Sequence, residues 1–283
     1  MRRSAIKAAN KELERIDAVF ISYENASSGL IDPEGIERLC SDLEVDHTDV
    51  RVLMLAWKMK AEKQGYFTLE EWRVGLKGLR VDNVNKLKKA LPELEKEVRR
   101  PSNFVDFYSY AFEYCLTEEK QKSIDIDSIC ELLNIVLGSQ YHLQVDLFTQ
   151  YLKIQNDYKV INMDQWMGFY RFCNEISFPD LSNYDPELAW PLILDNFVDW
   201  IQDKQSQIRM ESKTKNSNFE DEEAIIKGEE GGRGRLVLLL PLRNVVPEGE
   251  DGEDEGELED IATLFDWLVN LFLSPSSALS SIL

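Results

Sequence analysis

The sequence has few of the residues from which catalytic or metal sites are built. It contains two histidines and four cysteines in 283 residues, and these residues show no paired metal-ligand spacing. Neither a glycine-rich phosphate loop nor a nucleophile elbow occurs in it. A local zinc site of the ring-finger type is therefore excluded, and an enzyme with its own active site is the least favoured class. Each cysteine lies in an apolar helical pattern that predicts a buried, reduced thiol: Cys40, Cys115, Cys130 and Cys173.

Signals for export or membrane insertion are also missing. Arg2 and Arg3 are followed by no apolar run, so no signal peptide is visible, and arginine at the second position excludes myristoylation. No stretch reaches the roughly 20 apolar residues that a membrane helix requires. We therefore expect a soluble, intracellular protein.

The sequence has fewer basic residues than acidic ones. The chain has 32 Lys and Arg residues against 52 Asp and Glu residues, which gives a formal net charge of −20 at pH 7. Nucleic acids and anionic membrane surfaces select Lys and Arg, so we expect neither as a partner. A basic protein surface is the better electrostatic match.

What the chain does contain, up to residue 202, is a succession of amphipathic helical patterns. No sustained alternation demands a sheet, so residues 1–202 are predicted to form one all-α domain. The composition changes near residue 203, and Glu248–Asp260 contains nine acidic residues. Residues 203–283 are therefore predicted to be a low-complexity acidic tail that is mostly disordered. Two apolar islands in it, RLVLLLPLR and IATLFDWLVNLFL, could bind a partner, fold back on the domain or be functionally idle; the last is the simplest interpretation.

Two twelve-residue stretches, Glu24–Gly35 and Lys60–Glu71, have the frame of an EF-hand loop. Each places a glycine sixth, where the loop turns sharply, and an apolar residue eighth, where paired loops form a short ribbon. Helix-start signals follow both loops, first an aspartate before a proline and then a Thr-x-x-Glu capping box. A weaker second pair, KSIDIDSICELL and YKVINMDQWMGF, offers Ile124 and Ile161 but no glycines. Two EF-hand-like lobes are predicted, with coincidence the alternative for the second.

Calcium ligands are largely missing from the first two loops. Ca²⁺ requires six to eight oxygen ligands, mostly from carboxylates. Window positions 1, 3 and 5 hold Glu24, Ala26 and Ser28 in the first loop and Lys60, Glu62 and Gln64 in the second. A lysine at position 1 is incompatible with the site, so we expect lobes without metal and a protein without a cofactor.

The stretch SNYDPELAWPLILDNFVDW closes the helical region. Asp185 before Pro186 predicts the start of one helix, and Pro191 predicts the start of another. Asp195 and Asp199 lie four residues apart and predict an acidic ridge on the second helix.

Three stretches resemble the potentiating-neddylation domain of the DCN-like (defective in cullin neddylation) proteins. They are CSDLEVDHTDVRVLMLAWKMKAEKQGYFTLEEW, FVDFYSYAF, and MDQW followed by LSNYDPELAWPLILDNFVDW. The resemblance covers about residues 10–202, and its last motif is specific. It implies a scaffold-type auxiliary ligase that holds a cullin and the charged conjugating enzyme, with the thioester chemistry carried by those partners. The alternative is a calcium-independent EF-hand-like adaptor with other partners.

The resemblance implies a cullin-binding patch at Asp164, Ala189 and Asp195. Two carboxylates beside a small apolar residue would form a shallow acidic notch, where a basic, partly apolar face can dock. The alternative is that Asp164 is only a helix N-cap and Asp195 only a solvated surface residue.

The resemblance also implies a hydrophobic cleft for the acetylated amino terminus of the conjugating enzyme. Gln64 is the predicted polar contact, and Met59 and Gly65 depart from the vertebrate pattern of Phe and Cys. Many of the cleft positions could equally belong to the core. The matching positions are Ile36, Leu39, Cys40, Val52, Leu55, Met59, Gln64 and Phe67.

Further expectations rest on the same resemblance. The partners are the cullin carboxy-terminal domain, the neddylation conjugating enzyme and the assembled cullin-ring ligase complex. A monomer located in the nucleus and cytoplasm is expected. The resemblance begins near Lys11, which leaves no room for the ubiquitin-binding domain that some family members carry ahead of it.

Overall fold

The computed structural model describes the backbone of residues 2–223 and the side-chain surroundings of residues 9–207. Helices dominate this part of the chain, as the sequence predicts, and its sheet has only two strands. No helix in it is long and apolar enough to cross a membrane. The elements are α1 (Arg2–Tyr23), α2 (Pro33–Leu43), α3 (Val50–Met59), α4 (Leu69–Leu79), α5 (Val84–Val98), α6 (Pro101–Tyr114), β1 (Ser123–Asp125), α7 (Ile126–Leu137), α8 (His142–Ile154), β2 (Val160–Asn162), α9 (Met163–Glu175) and α10 (Leu192–Glu223).

The chain divides into two units within α10. One unit contains the described residues up to Phe197, and the other begins at Val198. In the second unit, the Lys204 ammonium lies 4.2 Å from the ring centroid of Trp200. Helix α10 continues past the predicted boundary at residue 202 and ends at Glu223. The acidic block and both apolar islands of the predicted tail lie outside the described residues.

The first pair of loops has the predicted EF-hand-like frame. Gly29 and Gly65 adopt φ values of +67° and +76°, which residues with a Cβ rarely adopt. Ile31 and Phe67, the eighth residues of the two loops, pair in antiparallel orientation. The N–H of each donates to the carbonyl of the other, at 3.0 Å and 2.9 Å. The sequence frame therefore corresponds to real loop pairing between α1–α2 and α3–α4.

Glu71, the only acidic residue at position 12 of either loop, serves as a helix cap. Its carboxylate accepts hydrogen bonds from the backbone N–H of Glu62 at 2.9 Å and of Thr68 at 2.7 Å. Among the described residues, no group of three or more His, Cys, Asp and Glu side chains is arranged to hold a metal ion. The absence of calcium binding stays a prediction, because the hydrogen bonds to the Glu71 carboxylate do not measure the affinity of the loops for Ca²⁺.

The second lobe repeats the arrangement without glycines. Strands β1 and β2 pair in antiparallel register, with Ile124 opposite Ile161, and both side chains are buried. Helix α7 follows β1 directly and α9 follows β2, since Asp125 caps the former and Asn162 the latter. The predicted second EF-hand-like lobe is confirmed, so its sequence echo is more than coincidence.

The core holds the helices of the second lobe against α6. Tyr108 on α6 stacks on Trp166 of α9, with ring centroids 4.2 Å apart and planes 7° apart. The Trp166 indole donates to the Tyr108 carbonyl at 2.9 Å, and the Tyr108 hydroxyl donates to the Trp166 carbonyl at 3.1 Å. Both polar side-chain groups are thus satisfied in the interior. The four cysteines are free and buried, as predicted.

The predicted helix start at Asp185 is wrong. The Asp185 carboxylate accepts from the N–H of Glu187 at 2.9 Å, and its carbonyl accepts from the N–H of Leu188 at 3.2 Å. This is a single turn, and residues 176–191 contain no helix. Pro191 explains the failure, because the residue before a proline is pushed out of the helical region and the turn cannot propagate. The second predicted start is correct, since α10 begins at Leu192.

Candidate functional site

Asp164 lies in the first turn of α9 but does not cap it. Asn162 is the N-cap: its side chain accepts from the N–H of Gln165 at 3.0 Å, and the Gln165 side chain accepts from the N–H of Asn162 at 3.0 Å. The alternative that Asp164 is only an N-cap is therefore wrong. Asp164 is exposed, and no described residue forms a hydrogen bond or ion pair with its carboxylate. A carboxylate at this end of a helix is favoured by the helix dipole.

A close helix-to-loop approach brings the segments of the predicted patch together. A Cβ added at Gly168 would lie 2.6 Å from Cγ of Pro191, so only glycine permits this approach. Asp164 lies one helical turn before Gly168 on α9, and Asp195 lies just over one turn after Pro191. Ala189 is exposed two residues before the proline. The three predicted residues therefore lie on neighbouring segments, and we call them the acidic patch.

Asp195 is held in place by an aromatic neighbour. The Tyr184 hydroxyl donates a short hydrogen bond to Oδ1 of Asp195, which is half-buried. The Tyr184 ring stacks on Trp190, with centroids 5.8 Å apart and planes 23° apart. Asp195 is therefore not simply a solvated surface residue, because its carboxylate has one fixed partner. Sequence reasoning missed Tyr184, although it lies in the Asn-Tyr-Asp motif.

Trp190 forms the support beneath the patch. Its side chain is 8 % exposed, and the guanidinium carbon of Arg171 lies 4.1 Å from its ring centroid. Arg171 also pairs with Glu175, at 2.9 Å from Nε to Oε2. Among the described residues, no hydrogen-bond partner is found for the Trp190 indole N–H. The Arg171 guanidinium over the ring holds the orientation of the Trp190 indole. Because Ala189 directly precedes Trp190, this contact also helps to fix the position of that exposed alanine.

Two exposed leucines flank Ala189, and we call them the apolar rim. Leu188 is 47 % exposed and Leu192 is 67 % exposed. Exposed leucines are common singly, but two of them beside one small residue and two carboxylates form a mixed surface of the kind that partners bury. The sequence pattern did not single out either leucine.

The predicted peptide cleft is closed in this structure. Seven of its eight positions are buried, with Gln64 the exception. A cavity of about 10 Å³ remains there, which has room for about one water molecule. Four predicted residues line that cavity, while Ile36, Met59, Gln64 and Phe67 do not. The lining predicted residues are Leu39, Cys40, Val52 and Leu55.

Gln64 carries an unsatisfied donor. Its side-chain nitrogen is buried, and no described residue accepts a hydrogen bond from it. A buried amide donor without a partner costs about 1–3 kcal/mol, so the position favours an additional acceptor. The neighbouring Gly65 N–H donates to the hydroxyl of Tyr114 at 3.2 Å, which ties this loop to α6. Tyr114 was also missed by sequence reasoning.

Comparisons with known proteins identify a family for part of the chain. Residues 86–200, which include the whole acidic patch, match the family described as "Cullin binding". This segment of the chain therefore matches the cullin-binding class of domain.

Curated relatives narrow the class. The chain is 42 % identical over 184 residues to DCN1-like protein 4 of Homo sapiens, covering 65 % of this chain and 62 % of the relative. It is 38 % identical over 185 residues to DCN1-like protein 5 of Homo sapiens, covering 65 % of this chain and 76 % of the relative. The chain spans less than two thirds of the length of the DCN1-like protein 4 relatives from Homo sapiens and Danio rerio. The chain belongs to the DCN1-like family, as the motifs predicted.

Proposed function

We propose that this protein is a scaffold-type auxiliary ligase that promotes the neddylation of cullins. It does so by bridging a cullin and the charged conjugating enzyme. The observation that carries the proposal is the acidic patch, in which Asp195 is held by Tyr184 beside the exposed Ala189. This patch lies within the residues that match the cullin-binding family.

The patch suits a basic, partly apolar face of a cullin. Asp164 and Asp195 supply negative charge that steers a basic partner into the right orientation. Ala189 leaves space between them, and the apolar rim supplies surface that gains free energy when it is removed from water.

The cleft near Gln64 is the proposed site for the acetylated amino terminus of the conjugating enzyme. An acetylated terminus is uncharged, so its burial in an apolar cleft avoids the cost of burying an ammonium group. Its amide carbonyl supplies an acceptor for the unsatisfied Gln64 donor. The cavity lined by Cys40 and Val52 is only about 10 Å³ and Gln64 does not line it, so the cleft has to open for one peptide to reach both. We expect the acetylated peptide to bind more than about tenfold tighter than the same peptide with a free amine.

A non-catalytic role agrees with the state of the thiols. Burial raises the pKa of Cys40 and of Cys115 to about 12 and that of Cys130 to about 11. Burial raises the pKa of Cys173 as well. A thioester-forming cysteine requires an accessible thiolate, so the buried thiols support the proposal that the partners carry the transfer chemistry.

The test is a reconstituted neddylation assay with a cullin carboxy-terminal domain. The variant combines Asp164→Ala, Ala189→Arg and Asp195→Lys, and Asp127→Lys, an exposed charge reversal on α7, is the matched control. Loss of stimulation by the triple variant alone, with unchanged thermal unfolding, supports the proposal. Unaltered stimulation by a well-folded triple variant contradicts it.

An EF-hand-like adaptor with other partners is the second candidate. The paired loops that lack calcium ligands favour it, since such lobes also serve as plain recognition modules. A pull-down with the cullin carboxy-terminal domain separates the two functions, because only the first requires retention of the cullin.

A further inference from the structure

A groove of about 820 Å³ lies between α6 and the α3–α4 pair of the first lobe. None of the predicted cullin-patch or peptide-cleft residues lines it. Its size falls in the range of ligand-binding sites, and it is far larger than the closed cavity near Cys40. The groove is therefore a separate surface feature of the first unit.

Hydrogen bonds across the groove fix its shape. The Trp57 indole on α3 donates to the carboxylate of Asp106 on α6 at 2.8 Å. The Tyr110 hydroxyl on α6 donates to the carbonyl of Ala61 at 2.9 Å. Both contacts join residues about fifty positions apart in the chain. The aromatic walls are thus preorganised, which lowers the cost of ordering them when a ligand binds.

The α4 side of the groove offers an apolar surface. Val74 is 48 % exposed, which makes it one of the most exposed large hydrophobic residues in the described part of the chain. Gly78, one turn further along α4, adds no side chain, and the Lys58 side chain lies beside it, since a Cβ added at Gly78 would be 3.2 Å from Cε of Lys58. An apolar side chain of a ligand can pack on the exposed Val74.

The charge balance of the groove is negative. Glu62, Asp106 and Glu113 supply three carboxylates from two different segments. Two lysines also line it, but Lys58 is already paired with Glu97, at 2.5 Å from Nζ to Oε1. Lys60 alone therefore opposes the three carboxylates, and the groove favours a cation.

The same charge argument selects among possible occupants. The acidic block Glu248–Asp260 of this chain has nine carboxylates and would be repelled, whereas the island RLVLLLPLR of the same chain places arginine beside leucine and is the competing occupant that the experiment has to separate. A second copy, with a net charge of −20, is disfavoured for the same reason. We propose that the groove binds a short segment of a partner protein that carries a Lys or Arg beside an apolar residue. The cation faces the carboxylates of Asp106 and Glu113, and the apolar side chain packs on Val74.

The test uses the Trp57 indole N–H as a reporter in ¹H–¹⁵N spectra of the full chain. The probe is a capped hexapeptide of alternating arginine and leucine, and the matched peptide replaces arginine with glutamate. We expect millimolar arginine peptide to shift the Trp57 indole and Gly78 amide signals, because both residues line the groove. The glutamate peptide should leave them unchanged.

A neutralised variant makes the result specific to the carboxylates. Glu62→Gln, Asp106→Asn and Glu113→Gln together keep the acceptor oxygens and should weaken arginine-peptide binding about tenfold or more. Glu14→Gln, an exposed change on α1, is the control and should not alter it. Equal shifts with both peptides, no shift of the two reporters, or unchanged binding by the neutralised variant overturns the proposal. If the two reporter signals shift when the protein alone is concentrated, the occupant is a second copy. If they shift when residues 235–243 are deleted, the occupant is the chain's own arginine–leucine island. Either result overturns the proposal.

Discussion

Single side chains decide how the acidic patch is presented. In the proposed docking role of Asp195, Tyr184 fixes one carboxylate oxygen and leaves the other for a partner. Tyr184 is in turn positioned by its stacking on Trp190. The presentation of this carboxylate therefore depends on a residue eleven positions away in the chain, in a loop with no regular structure.

Tyr184→Phe tests this positioning role. The substitution keeps the ring stacking and removes only the donor, so Asp195 regains rotamer freedom that binding must then remove. We expect cullin affinity to fall about threefold to tenfold, corresponding to roughly 0.5–1.5 kcal/mol. In a double-mutant cycle with Asp195→Ala, the Tyr184→Phe effect should vanish. Additive losses would show that Tyr184 acts elsewhere.

The contribution of the apolar rim to cullin binding can be tested against a similarly exposed apolar residue elsewhere on the protein. Leu192 is 67 % exposed beside the patch, and Ile21 is 62 % exposed on α1. We expect Leu192→Ser to weaken cullin binding by roughly 1–2 kcal/mol, because a leucine buried at an interface contributes by leaving water. Ile21→Ser should have no effect on it. Equal affinities for Leu192→Ser and the unsubstituted protein would remove the rim from the interface but leave the charged patch standing.

At the scale of elements, local signals predicted the lobes well and the loop before α10 poorly. Gly29 and Gly65 mark turns that require positive φ, and such turns are encoded by the residue itself. The Asp185–Pro186 signal predicted a helix start, but the chain forms only a single turn there, because Pro191 prevents the turn from propagating. The closed peptide cleft could not be predicted, because its volume depends on how side chains from separate helices pack.

The loops give a prediction about calcium. Lys60 occupies position 1 of the second loop and Glu71 is engaged by backbone donors, so we expect no uptake at sub-millimolar calcium. Isothermal titration calorimetry measures it directly, and thermal unfolding with calcium or with a chelator should give the same midpoint. Stoichiometric heat of binding would contradict the interpretation of both loops.

At the scale of the whole molecule, one buried carboxylate links the amino-terminal helix to the start of α5. Asp82 accepts hydrogen bonds from Lys86 at 2.7 Å and from Arg15 of α1 at 2.7 Å. The Lys86 hydrogen bond, together with Arg15, lowers the pKa of Asp82 to about 2. A carboxyl whose pKa is lower in the folded state stabilises that state above its unfolded pKa, and this contribution is lost as the pH falls towards the folded value.

Asp82→Asn should therefore lower the free energy of unfolding at pH 7. The difference from the unsubstituted protein should shrink as the pH falls from about 4 to about 2, where Asp82 becomes protonated in both folded and unfolded states. Denaturant unfolding at a series of pH values measures it, with Glu14→Gln on α1 as the control. A difference that does not change with pH would mean that Asp82 acts through shape and not through charge.

The stacking of Tyr108 on Trp166 has a consequence for binding two partners at once. It joins α6, which carries Asp106 and Tyr110 of the groove, to α9, whose first turn carries Asp164 of the acidic patch. The two surfaces belong to the same unit of the chain, so the fold sets the spacing between them. A ligand whose linker spans that spacing gains avidity, because occupying one surface raises its effective concentration at the other without any new contact. A ligand whose linker is too short to span that distance gains no avidity, so the stacked pair helps to set the minimum linker length.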